Sequence, residues 1–190
     1  MGETGSHKVV FLDRDGVINQ DSPQYIKSWS EFEFLPGSIE ALAALNRSGF
    51  EVIVITNQSA VNRGLISKAL LEQMHDRLKA AVQSSGGRIL DVFYCPHLPE
   101  EGCGCRKPKP GLIERACRKY GLNPETTTMV GDSAKDIKCA RNAGCRRAAL
   151  VRTGNGKAAH RELKAEGVPV DFVAEDLGDA AAWIIRCGTD

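Results

Sequence analysis

The chain has 190 residues, 42% hydrophobic and 26% charged, with 25 basic against 24 acidic side chains and a formal net charge of +1. That length and balance fit one globular domain with a full core, and they exclude a global field for nucleic acid or an anionic membrane, so any anion must be met locally. Apolar runs such as 52–55 and 148–151 are far too short to span a bilayer, and residues 1–8 lack a signal peptide's apolar segment, so a cytoplasmic protein is expected.

Residues 1–7 are small and polar and are expected to form a disordered segment ahead of a single domain over 8–190. Val9, Val10, Phe11 and Leu12 show no polar alternation, which predicts a buried strand of a parallel sheet. The run closes on Asp13, Arg14, Asp15 and Gly16, so two carboxylates stand beyond the strand's carboxyl end, where ligands of such sheets bind. One reading is catalytic: Asp13 a nucleophile able to carry an acyl phosphate, Asp15 its acid/base partner, and a hard cation neutralising the crowding. A polar turn is the plain alternative, because Asp and Gly favour turns for local backbone reasons. An EF-hand calcium loop is excluded, since Gly16 comes too early for acids at alternating positions followed by Gly at the sixth.

A helix over 38–48 follows, with an apolar stripe at Ile39, Leu42, Ala43 and Leu45 and Gly49 at its end. The strand 51–56 ends in Thr56, Asn57, Gln58 and Ser59, whose hydroxyl and amide groups can hold phosphoryl oxygens or simply terminate the strand. Ser67 caps a helix to residue 84 with a stripe at Leu70, Leu71, Met74 and Leu78; His75 lies beside it and reads as a surface or core histidine, not a ligand. After a strand over 89–95, Arg106, Lys107, Pro108, Lys109 and Pro110 precede a helix over 111–120 that ends at Gly121. Cations ahead of a helix N-terminus point to an anion there, although Lys109 reads as part of a solvated loop.

The strand 126–130 ends in Gly131, Asp132 and Ser133, and Asp136 sits one turn into a helix over 134–143 ahead of Gly144. Mg²⁺ takes one or two carboxylates plus phosphate and water, so Asp13 and Asp132 form the natural pair, with the Asp15 carbonyl. A strand over 147–151, a weaker one over 170–173, and helices over 158–166 and 177–186 complete the chain. This alternation predicts a Rossmann-like α/β architecture, a mostly parallel sheet with helices on both faces.

Of the seven cysteines, Cys95, Cys103 and Cys105 share one loop with His97. Three thiols and an imidazole are a standard closed, tetrahedral zinc set, so a structural Zn²⁺ that fixes the neighbouring Arg106 and Lys107 is expected. Cys117, Cys139, Cys145 and Cys187 are scattered and read as small buried hydrophobes.

Four polar clusters at the carboxyl ends of four strands describe one site. Asp13-Arg14-Asp15-Gly16, the strand-ending Thr56, Lys107 before a helix, and Gly131-Asp132 with Asp136 resemble the four motifs of the haloacid dehalogenase-like phosphatase superfamily over residues 8–186. That resemblance implies that Asp13 attacks phosphorus, that Asp15 protonates the leaving oxygen and then activates water, and that Thr56 and Lys107 neutralise the transferring group. It also implies Mg²⁺ held by Asp13, the Asp15 carbonyl and Asp132, with Asp136 behind them. Helices fill the intervals between these motifs and leave no room for a separate cap domain, so specificity is assigned to loops 20–34 and 57–66 and to the cysteine loop.

That cysteine loop ahead of Arg-Lys-Pro resembles two related groups, the D-glycero-D-manno-heptose 1,7-bisphosphate 7-phosphatases and the histidinol-phosphate phosphatases. Asn57-Gln58-Ser59 running to Arg63-Gly64, Arg106-Lys107-Pro108 running to Pro110-Gly111, and Arg152-Thr153-Gly154 favour the first. This implies a small phosphorylated sugar as substrate, in the supply of heptose for lipopolysaccharide or another bacterial surface polysaccharide; separately, a monomer is expected. It further implies substrate contacts from Asp21, Tyr25, Asn57, Gln58, Ser59, Arg63 and Arg106, with Ser22, Pro23 and Gln24 in the same sugar-side segment. Two departures stand out: Ala60 where Gly is expected, and Ser133 where some relatives carry a Lys for a secondary phosphate contact that bears on the preferred anomer.

The rival in the same chemistry is histidinol phosphate; the rival from another class is a non-catalytic, zinc-stabilised binding module. Intact Asp13, Asp15, Lys107 and Asp132 oppose the latter. A nucleic-acid 3′-phosphatase is disfavoured by the near-neutral charge and the lack of an aromatic or basic tract.

Overall fold

The computed structural model describes residues 8–188, so the expectation for residues 1–7 lies outside the described residues. Strands and helices alternate as β1 (Lys8–Leu12), α1 (Ser38–Arg47), β2 (Phe50–Asn57), α2 (Lys68–Ser84), β3 (Ile89–Cys95), α3 (Gly111–Tyr120), β4 (Thr128–Gly131), α4 (Ala134–Asn142), β5 (Arg147–Val151), α5 (Gly156–Ala165), β6 (Phe172–Ala174) and α6 (Leu177–Cys187). These six strands pair in parallel throughout, in the order β3-β2-β1-β4-β5-β6. The chain winds outward from β1 in one direction through β2 and β3, then returns to β4 on its other side. The carboxyl ends of β1 and β4 therefore border the crevice at which open α/β sheets bind ligands.

The continuous apolar run of β1 is explained by burial on both faces. Val10 and Leu12 pack with Val52 and Val54 beneath α1, α2 and α6, while Val9 and Phe11 pack with Ile53 and Ile55 beneath α3, α4 and α5. Residues Val9 to Leu12 are at most 1% exposed. At about 1.5–3 kcal/mol for each fully buried side chain of this size, the central strands are the rigid base from which the loops project. The described residues hold no inserted domain: the loops after β1 and β3 carry only single 3₁₀ turns at Trp29–Glu31 and Pro99–Glu101.

Local signals place most boundaries. Ser67 caps α2 by accepting from the Leu70 amide at 3.1 Å, and Gly121 ends α3 at φ +64°, a left-handed conformation that costs Gly nothing. Three elements start two residues from the expected position. Residues Pro124–Thr126 form a 3₁₀ turn, in which the Asn123 side chain accepts from the Glu125 amide, so β4 begins at Thr128 and not at 126. Helix α5 starts at Gly156, two residues before the expected 158, and β6 runs from Phe172 to Ala174 to pair with β5. Of the four scattered cysteines, Cys117, Cys139 and Cys145 are buried as expected, but Cys187, in the last turn of α6, is only half-buried.

Candidate active site

The site is built where β1 stops. The Asp13 amide continues the sheet ladder by donating to the Val130 carbonyl at 2.9 Å, which fixes the backbone that carries the carboxylate. Asp13 Oδ1 accepts from the Arg14 amide at 2.7 Å and from Lys107 Nζ at 2.9 Å. Lys107 is 3% exposed and its ammonium also reaches Asp136 Oδ1 at 2.6 Å and the Ile55 carbonyl at 2.8 Å. All three ammonium protons are therefore engaged, and the cation acts on an arriving anion through its charge. Burial pulls the Lys107 ammonium down, but the charges of Asp13 and Asp136 more than offset it and the net shift is upward.

The loop after β4 supplies the third acid. Asp132 Oδ2 accepts from the Asn155 amide at 2.8 Å and from Asn155 Nδ2 at 3.3 Å. Gly16 lies against the same oxygen at φ +81°, and a Cβ there would overlap it, so only Gly allows this approach. Asp136 Oδ2 accepts from the Ser133 amide and hydroxyl at 2.9 and 2.7 Å, closing the N-terminal turn of α4. Asp13, Asp132 and Asp136 thus offer carboxylate oxygens within 4.8 Å of one another.

One lysine does not balance three buried acids. Burial pushes the Asp132 carboxyl up to about 7, with the Asp136 charge adding to the shift. Asp13 is also pushed well up by burial, relieved by Lys107 and raised again by Asp136 and Asp132. A hard divalent cation relieves this crowding, and an oxygen-only donor set of this kind fits Mg²⁺.

Asp15 has different surroundings. Its Oδ1 accepts from Arg14 Nη2 at 2.8 Å, Arg14 Nε at 3.1 Å and Asn19 Nδ2 at 2.8 Å, while Oδ2 accepts from Arg14 Nη2 at 2.9 Å and Gln58 Nε2 at 2.7 Å. Burial alone raises this carboxyl; the Arg14 charge and these hydrogen bonds outweigh it and hold Asp15 below its ordinary value. Behind Arg14 lies His75, pulled down to about 3 by burial and by the Arg14 charge. Two neighbouring carboxylates are thereby driven in opposite directions, the separation expected where they have different tasks.

A cavity of about 310 Å³ opens onto these groups. It gathers Asp13, Asp15, Asp21, Tyr25, Thr56, Asn57, Gln58, Ser59, Arg106, Lys107 and Asp132, nearly the whole expected set, together with Ser22 and Pro23. Arg63 is the exception, and two of the lining amides also have protein partners. Arg63 does not line the cavity; its guanidinium lies over the Tyr25 ring at 5.8 Å. Asn57 clamps the Lys107 backbone, accepting from its amide at 3.1 Å and donating to its carbonyl at 3.2 Å. Gln58 holds Asp15 and donates to Thr56 Oγ1 at 3.0 Å. These two amides organise the site from within. Gln24 is absent from the lining, whereas Lys135 and Asn155, not expected from the sequence, belong to it. Ala60 is buried without a left-handed backbone, so Gly is not required there.

Beside the cavity, Cys95 Sγ lies 3.4 Å from His97 Nδ1, 3.6 Å from Cys103 Sγ and 3.3 Å from Cys105 Sγ; Cys105 Sγ lies 3.3 Å from His97 Nδ1 and 3.6 Å from Cys103 Sγ. A tetrahedral Zn²⁺ with sulfur bonds of about 2.3 Å has ligand edges of about 3.8 Å, so the four atoms already stand close to that geometry. The loop is tied to the site: Arg106 Nη1 donates to the His97 carbonyl at 3.1 Å, and Asn62 Nδ2 reaches both Glu101 oxygens at 3.0 and 2.9 Å. Lys109, expected to be merely solvated, is exposed but donates to the Gly102 and Cys103 carbonyls at 2.9 and 2.7 Å.

A HAD-hydrolase-like family model matches residues 104–180. The D-glycero-beta-D-manno-heptose-1,7-bisphosphate 7-phosphatase of Pseudomonas putida is 44% identical over 179 residues, 94% of this chain and 99% of that one. The protein of the same name from Bordetella bronchiseptica is 41% identical over 180 residues, 94% of this chain and 98% of that one. The crystal structure of D,D-heptose 1,7-bisphosphate phosphatase from B. bronchiseptica complexed with magnesium and phosphate matches this fold with a TM-score of 0.88 at 41% identity, covering 94% of this chain and 98% of that one.

Proposed function

Because the chain belongs to the family of D-glycero-D-manno-heptose 1,7-bisphosphate 7-phosphatases, within the HAD-like hydrolases, we propose that it removes the 7-phosphate of that bisphosphate through a phosphoryl group carried on Asp13. The observation that carries the mechanism is the Asp13 carboxylate at the cavity floor, with Oδ1 2.9 Å from Lys107 Nζ and the separately tuned Asp15 on the same turn.

Asp13 attacks phosphorus and forms the acyl phosphate as the bond to the sugar oxygen breaks; Asp15 gives its proton to that oxygen. Water then attacks the phosphoryl group while Asp15 takes its proton, and inorganic phosphate leaves Asp13 free. The donors around Asp15 favour its basic form, which suits the second half; the arriving phosphoryl charge favours the protonated form needed for the first. Lys107 offsets equatorial charge, and Thr56 lines the cavity near it. Mg²⁺, when held by Asp13, Asp132 and the Asp15 carbonyl, supplies further neutralisation of the transferring group. Asp136, engaged by Lys107 and Ser133, keeps the neighbouring ligands in place.

The remaining cations in the cavity, Arg106 and Lys135, suit the phosphate that is not cleaved. A structural Zn²⁺ on Cys95, His97, Cys103 and Cys105 holds Arg106 and Lys107 in register. The reading extends to a monomeric enzyme in heptose supply for bacterial surface polysaccharide. No helix among the described residues is long and apolar enough to cross a membrane. The test is Asp13→Asn with Mg²⁺ and the bisphosphate: phosphate release falls by at least about 10³-fold and the acid-stable phosphoryl label on the protein disappears. An Asp13→Asn enzyme that retains turnover contradicts the mechanism.

A further inference from the structure

Arg14 is 1% exposed and stands first by volume among the fully buried side chains of the described residues. A guanidinium so placed needs a carboxylate, and it has Asp15, gripped at both oxygens. Its face lies over the Phe32 ring at 5.6 Å, and Nη1 lies 3.2 Å from His75 Nε2. Arginine only donates, so Nε2 must be the acceptor and the imidazole must be neutral with its proton on Nδ1. His75 is 4% exposed on the core-facing stripe of α2, with Leu71, Met74 and Leu78. A rigid helix therefore fixes the imidazole, the imidazole fixes the guanidinium, and the guanidinium fixes the plane of the Asp15 carboxylate.

On this geometry we propose that Arg14 is a positioning residue for the reaction, with His75 as its prop: together they hold Asp15 at the angle from which it serves two oxygens in turn, the leaving group and then water. The inference rests on the role of Asp15 given above. Stability alone does not account for the arrangement, because a buried ion pair is often matched or bettered by apolar side chains of similar volume. Proton transfer, by contrast, demands heavy-atom approaches of about 2.6–3.2 Å, which a carboxylate free to rotate toward Lys107 or a metal would not keep.

Arg14→Lys keeps the charge but loses the fork that grips both oxygens. With the heptose bisphosphate and Mg²⁺, kcat falls at least about 100-fold, the low end of acid–base contributions, while KM stays within about threefold. With p-nitrophenyl phosphate, whose leaving group needs no proton, the variant gives a burst of one equivalent of nitrophenolate and then turns over slowly, because only the water step still needs Asp15. His75→Phe removes the prop alone and shows the same split between substrates at smaller size; it decides the matter if Arg14→Lys does not fold, as judged by thermal melting. Equal losses on both substrates without a burst, or a kcat within about threefold of the unmodified enzyme, overturn the proposal. An unmodified protein inactive on the bisphosphate would instead refute the proposed function, so the two failures are distinguishable.

Discussion

Replacing Lys107 by Met keeps the length of the side chain and removes the cation that faces both Asp13 and Asp136. Its Nζ stands 2.9 Å from one carboxylate and 2.6 Å from the other, and the residue is 3% exposed, so the loss falls in a site shielded from water. Removing one partner of a buried pair costs about 3–5 kcal/mol, and at about 2–4 °C per kcal/mol for a chain of this size the melting temperature drops by about 6–20 °C. The Ile55 carbonyl also loses its donor. Acid should relieve the variant. With Lys107 gone, Asp13 and Asp132 rise further above their unfolded values, so the folded state binds more protons than the unfolded chain and stability falls as pH rises. Thermal melts at about pH 6 and about pH 8, with and without Mg²⁺, read this directly: the variant melts higher at the lower pH, and Mg²⁺ restores part of the loss at the higher one. Activity falls about 10³-fold, the range for one electrostatic contact to a transferring phosphoryl group. A Lys107→Met protein with unchanged melting temperature at both pH values and activity within about tenfold would refute the electrostatic argument.

Two further outcomes follow from the proposed metal sites. Elemental analysis should find one equivalent of zinc that survives the mild EDTA treatment by which Mg²⁺ and activity are lost; Cys105→Ser should lower zinc content, melting temperature and kcat together, and a protein free of zinc overturns the assignment. Because Asp132 is held up near about 7, protons compete with Mg²⁺ below that pH. The Mg²⁺ concentration for half-activity should therefore rise toward about tenfold per pH unit on acidification and flatten above about pH 8; a requirement that is constant between about pH 6 and 7 contradicts it.

Asp13, Asp15 and Asp132 were legible because they follow apolar runs that read as buried strands, Lys107 because it precedes a helix N-terminus, and the cysteine loop because three thiols and an imidazole crowd into eleven positions. What stayed hidden depends on partners distant in sequence. Asn57 and Gln58 line the cavity, but that one also clamps Lys107 and the other also holds Asp15 was not legible, because an amide at a strand end does not declare all that it binds. Arg14 has no role assigned from the sequence, although a cation flanked by buried Leu12 and Val17 must find a carboxylate. A signal for His75 was present: it follows Leu71 by four positions and precedes Leu78 by three, so a helix must turn it to the core. Arg63 was drawn in by motif continuity, but its loop leads it over Tyr25 and away from the cavity. Asn155 became visible only when β5 brought the start of α5 against Asp132.

The most direct measurement is phosphate release by the purified protein with Mg²⁺ on three substrates: the two anomers of D-glycero-D-manno-heptose 1,7-bisphosphate and histidinol phosphate. One equivalent of phosphate per heptose bisphosphate, heptose 1-phosphate as the product, and a kcat/KM at least about 100-fold above that for histidinol phosphate are expected from a site with separate cations for the second phosphate. A preference for histidinol phosphate, or release of the 1-phosphate, would contradict the account.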